Sequence, residues 1–227
     1  IVSYRLWSSM HRRVAKPPVS TLPDHASPLA ALRQDRPFRQ FEVSFMLYGL
    51  GFLMLQPVLP VYLSQDLGVS YTEAAIATGA IFWIATIVTS PLAGRLADRI
   101  GILRLGAIAF GALAAFPLVL LVWPTLGGVY VAYALFGVAM SGVFLAWTAG
   151  PMHFAEKRNP LPYLNAHLGL VGFRALIGLV AGTLIQQSFG SATVFVLAAG
   201  LEIVAALHML HVARRDESRR AALAVET

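Results

Sequence analysis

No cysteine occurs anywhere in the 227 residues. That excludes a disulfide framework, a thiolate nucleophile and a Cys-based metal site. Charge is also scarce. Only 12% of residues are Asp, Glu, Lys or Arg, about half of what a soluble domain carries, and 57% are hydrophobic. Catalytic signatures are missing as well. There is no P-loop and no G-x-S-x-G elbow. No His/Asp/Glu cluster has metal-ligand spacing. The sequence therefore points away from an enzyme, a resident cofactor or a bound metal, and towards a polytopic membrane protein.

Six long apolar stretches account for that composition. They run over about 41–63, 71–93, 105–123, 128–154, 163–186 and 192–211. Each is long enough to cross roughly 30 Å of hydrocarbon. The expected fold is an all-α membrane protein with six transmembrane helices. Pro57, Pro60, Pro117 and Pro151 mark expected kinks rather than breaks. The domain reading is a linker over 1–40, a transmembrane unit over 41–211 and a polar tail over 212–227. The linker reads as mostly irregular, because Pro17, Pro18, Pro23, Pro28 and Pro37 discourage a continuous helix.

Charge distribution sets the orientation. The formal net charge is +6, and sixteen of the seventeen Lys and Arg fall in the head, the second and fourth connections and the tail. The other three connections contain none. The positive-inside rule then predicts both ends on the cytoplasmic side of a cell membrane. This distribution also explains the basic balance without nucleic acid. The chain opens on Ile1-Val2-Ser3 with neither an initiator Met nor a signal-peptide pattern, so it reads as a fragment of a longer protein.

The seventeenth cation is Arg174, near the middle of the fifth span. A charge at that depth is a functional hypothesis by default. His167 lies seven residues earlier on the same face. Glu202 is the acid expected at mid-depth in the sixth span. Two readings stay open for Arg174. In one, Glu202 or backbone carbonyls neutralise it. In the other, it faces an aqueous cavity and binds an anionic group or couples to a proton site. Softer polar candidates are Tyr48 and Gln56 in the first span and Trp147 in the fourth. The hydroxyls of Thr78, Thr86, Thr89, Ser141 and Thr148 read as bonded to their own helices. Spans one, two, four and five hold nearly all this polarity and are expected to line a cavity. The third span has no polar side chain except its terminal Trp123, and reads as lipid-facing or peripheral. His153 reads as an interfacial cap.

The charged run between the second and third spans carries the most specific pattern. Gly94-x-Leu96-Ala97-Asp98-Arg99-x-Gly101-x-x-Arg104 resembles motif A of the major facilitator superfamily, including its place after the second span. The terminal basic pair of that motif is reduced here to Leu103-Arg104. His167-x-x-x-x-Gly172-Phe173-Arg174-Ala175 is similar to an eleventh-helix pattern of some members, with Ala175 in place of a second glycine. The resemblance, over about 41–211, implies one half of such a transporter, built of two inverted three-helix repeats. It implies helices seven to twelve, with an N-terminal half as the alternative. It further implies a small-molecule substrate, alternating access, ion coupling and a missing partner half, while Arg174 itself tilts the substrate towards an anionic one. In this family the Asp of the motif braces the two halves, a role that would fall to Asp98. A membrane scaffold or sensor on the same fold is the competing function.

Overall fold

A computed structural model describes residues 27–155 and 159–225. The expectations placed on Ile1–Tyr4, on the prolines up to Pro23 and on the cations up to Lys16, and on Lys157 and Arg158, lie outside the described residues. The described residues form helices and contain no strand. Six helices are long and apolar enough to cross a membrane: Arg36–Asp66, Tyr71–Ile100, Ile102–Val122, Leu126–Ala155, Leu161–Phe189 and Ser191–Ala222. They are the first to sixth spans below. A short helix, Pro28–Gln34, precedes them.

The spans are longer than hydropathy alone indicates, because polar caps extend them. The first starts at an Asp-Arg-Pro signature. Asp35 caps it by accepting from Phe38 N–H at 3.0 Å, with Pro37 in the first turn. Ser70 and Glu73 form a reciprocal capping box at the head of the second span. The prolines act locally. The third span is interrupted at Ala114, three residues before Pro117. The first passes into a wide π turn at Tyr62–Asp66 after Pro57 and Pro60. The polar run at Gly94 is not a loop. It forms the last two turns of the second span, and the connection is Gly101 alone, at φ +84°.

Helix pairing follows a twofold pattern. The first span packs on the fifth and sixth, the fourth packs on the second and third, and the third packs on the sixth. Exchanging each span with the one three places on converts this set into itself. The connections repeat too. Gly101, between the second and third spans, and Gly190, between the fifth and sixth, adopt φ/ψ of +84°/155° and +82°/166°. Each glycine N–H donates at 2.8 Å to the carbonyl four residues back. Only glycine takes such a conformation without strain. The unit is therefore two three-helix repeats.

The third span is not peripheral. Phe110, Leu113, Phe116 and Leu120 are fully buried where it wedges between the fourth and sixth spans. Tyr62 reaches over from the first span and donates to Leu120 O at 2.7 Å. The open faces belong instead to the second and fifth spans. Only 17% of the apolar window of each is buried, against 61% for the fourth. Trp83, Ile87, Val88, Phe173, Leu176 and Leu184 stand exposed there.

Glycines set the closest approaches. Gly178 and Gly182, four residues apart on the fifth span, rest on the first-span backbone at Leu50 and Met54. A Cβ at Gly182 would overlap the Met54 carbonyl. Gly182→Ala is expected to part these helices and cost about 1–3 kcal/mol, as overpacked cores do. Denaturant unfolding in mixed micelles measures the loss. A stability equal to the parent's would show that the seam is loose.

Candidate functional site

The first span meets the fifth with Glu42 and, a turn deeper, with the Phe45 carbonyl and Tyr48. Glu42 lies two turns inside the helix because the Asp35 cap starts it early. It is 2% exposed. Its two carboxylate oxygens are each 3.0 Å from His167 Nδ1, and His167 is 1% exposed. Phe41, Phe45 and Trp147 surround the imidazole, with Trp147 edge-on at 5.4 Å between centroids. When Nδ1–H donates to the carboxylate, Nε2 is the remaining open position. It has no hydrogen-bond partner among the described residues. A proton at Nε2 would leave the Nδ1–H bond to Glu42 in place.

Arg174 lies seven residues, about 10 Å of helix, farther along the fifth span. It is buried. Its guanidinium donates to the Phe45 carbonyl and to Tyr48 Oη at 3.5 Å, and sits 5.0 Å over the Tyr48 ring. Tyr48 is itself stacked on Phe110 at 4.2 Å. The guanidinium needs a glycine. A Cβ on Gly49 would overlap its Cζ, Nε and Nη1. Arg174 is thus seated in a notch on the first span, with a carbonyl and a ring face as its partners.

Glu202 does not pair with Arg174. It is fully buried, and neither carboxylate oxygen has a hydrogen-bond partner among the described residues. Of the two ways of neutralising Arg174 considered from sequence, the carbonyl is the one present. His208, one and a half turns further along the sixth span, meets Ser44 Oγ at 2.8 Å. Gln56 is exposed and stands apart from the cluster, with no hydrogen bond among the described residues. The structure therefore brings Tyr48, Trp147, His167 and Arg174 to one seam, places Glu202 beside the first span from the other flank, and leaves Gln56 out.

Sequence reasoning missed Glu42. An apolar stretch that opens at about 41 puts Glu42 at its very edge, where a carboxylate draws no notice. The signal was present in Asp35-Arg36-Pro37, which starts a helix six residues before Glu42. The second–fourth seam is the repeat-related counterpart of the first–fifth seam. There Thr86 Oγ donates to Phe82 O at 2.8 Å and to Gly137 O at 3.1 Å. The first–fifth seam holds charged side chains, whereas Thr86 places a neutral hydroxyl in its counterpart.

The motif residues lie at the end where the second and fourth spans finish and the third begins. Asp98 and Arg99 are exposed. Asp98 has no ion pair or hydrogen bond among the described residues. A side chain at Gly94 would meet open space among the described residues. Leu96 is half-buried, and Arg104 pairs with Glu217 of the sixth span at 2.5 Å. That exposed pair adds little stability. His153 does more than cap its helix: Nε2 lies 2.9 Å from Asp216 Oδ2, which also accepts from Arg220 Nε at 2.8 Å.

Six membrane-length helices in two repeats, with a buried charged seam and a glycine-turned charged end, define an all-α membrane unit. The family model for the Major Facilitator Superfamily matches residues 42–226. The chain belongs to that superfamily, whose members carry solutes across membranes, and it is a multi-pass membrane protein.

Proposed function

We propose that this chain is the C-terminal six-helix half of a secondary transporter that moves a small, anionic solute by alternating access coupled to an ion. The buried charged seam carries this reading. Arg174 supplies the anion-binding charge, and the Glu42–His167 pair is the coupling site, since it accommodates one proton without losing its hydrogen bond. The exposed faces of the second and fifth spans meet the partner half, and both chain ends lie on the cytoplasmic side of the cell membrane. Tyr48 and Trp147 hold the two charged sites in shape.

The functional test is uptake by the full-length protein in proteoliposomes, with and without a proton gradient, across a panel of carboxylated and neutral solutes. Accumulation of a carboxylated solute only under the gradient supports the reading. A protein that moves nothing in the panel would favour a scaffold or sensor.

In the same reading Asp98 reaches a helix N-terminus of the partner half and holds the cytoplasmic side closed. Such a contact is worth about 0.3–1 kcal/mol, more when partly buried. Asp98→Asn is expected to shift the full-length protein towards inward-open states. Accessibility of single cysteines from each side of the membrane measures the shift, and unchanged labelling would refute the latch.

A further inference from the structure

At the end of the bundle where the first span starts and the sixth finishes, a groove of about 200 Å³ opens between the two helices. Arg36, Pro37 and Gln40 line it from the first span, and Arg215, Asp216 and Arg219 from the sixth. All three arginines are exposed. Arg36 and Arg215 have no ion pair among the described residues. The one acid in the lining is already engaged: Asp216 Oδ2 is bonded by His153 and Arg220, while Oδ1 makes no hydrogen bond among the described residues and lies 3.8 Å from the Arg219 guanidinium. The groove is therefore a net cationic hollow, and guanidinium forks suit phosphate oxygens.

Its position decides the occupant. Two to three turns deeper on the faces of Arg36 and Arg215 stand Val43 and Val204, both exposed and apolar. Arginines at the helix ends above an apolar strip match a phosphate headgroup above acyl chains. A soluble anion would use the arginines and leave the strip unexplained. We propose that this first–sixth groove binds the headgroup phosphate of an anionic phospholipid, held by Arg36, Arg215 and Arg219. The lipid bridges the first span, which carries Glu42 and Tyr48, to the sixth, and so fastens the far flank of the charged seam.

The test is native mass spectrometry of the full-length protein, released from bilayers of equal phosphatidylglycerol and phosphatidylcholine. The parent is expected to retain phosphatidylglycerol in preference. Arg36→Gln with Arg215→Gln lowers the retained ratio by about tenfold or more, at roughly 1 kcal/mol for each cation at a membrane surface. Arg215→Glu alone gives a comparable loss in a protein that keeps Arg36. Arg99→Gln removes an exposed cation outside the groove and leaves the ratio unchanged. An unaltered ratio in the groove variants overturns the proposal. So does an equal fall with Arg99→Gln, which would mean bulk charge attraction. Release of the lipid by millimolar inorganic phosphate would make this a soluble-anion site and overturn it too.

Discussion

Replacing Arg174 with Gln is expected to lower transport by the full-length protein about ten- to a hundredfold, the worth of a charged hydrogen-bond donor in a dry site. Membrane insertion and folded yield should stay at parental levels. The carbonyl of Phe45 and the Tyr48 ring lose a cation, and a neutral amide in its place leaves no charge stranded in the bilayer. The more searching variant is Gly49→Ala. It alters no polar group, yet its methyl would occupy the space of the guanidinium. It should reproduce the Arg174→Gln defect by evicting the side chain from its notch. If Gly49→Ala transports normally while Arg174→Gln fails, the seated position of Arg174 is irrelevant to its role. If both transport normally, Arg174 serves packing alone. Solute flux in proteoliposomes, normalised to protein inserted, measures all three cases.

The second large effect concerns Glu42. Glu42→Gln keeps an acceptor for the His167 Nδ1–H but removes the negative charge that a proton at Nε2 would neutralise. Gradient-driven accumulation is expected to disappear, while exchange of solute across the membrane without a gradient persists. His167→Gln should give the same separation, because it removes the proton acceptor itself. Both quantities come from one preparation: uptake against a concentration difference under a proton gradient, then counterflow with the gradient collapsed. Intact accumulation in both variants would remove the pair from coupling. Loss of counterflow as well would make the pair a structural brace, since Glu42, His167, Phe41 and Phe45 form one packed group.

Much of the architecture was legible because hydrophobic length is a direct physical requirement of a bilayer. Six apolar runs became six spans. Two glycines, Gly94 and Gly101, bracket the charged run, and the residues alone did not say which makes the turn: Gly94 sits inside the second-span helix and Gly101 takes the positive φ. Helix ends were less so. Hydropathy stops where charge begins, but the helix continues to Ile100 and from Arg36, because caps and water satisfy its termini. The third span shows a deeper limit. Its apolar surface reads the same whether it meets lipid or protein, because lipid tails are as apolar as leucine. Phe110 and Leu120 gave no sign that they face the interior.

The site was half legible for a related reason. Arg174 and His167 stood out because charge at depth is rare. Their partners did not. The Phe45 carbonyl has no sequence signature, and Gly49 matters only because a side chain from another helix lies across it. Glu42 was hidden by a misplaced helix start. The pairing of Arg174 with Glu202 looked reasonable from depth alone, but depth does not fix the facing direction of two helices. The repeat symmetry was also invisible in the residues. It appears in helix pairing and in the matched glycine turns at Gly101 and Gly190.

Alternating access is the central claim, and the absence of native cysteine in these 227 residues makes it directly measurable here. Phe173 is exposed on the open face of the fifth span, next to Arg174. Phe173→Cys in a full-length protein whose remaining cysteines have been removed can be challenged with a membrane-impermeant thiol reagent from each side in turn. The account predicts labelling from both sides, with the balance shifted by the transported solute. Labelling from one side only, or from neither, would contradict it.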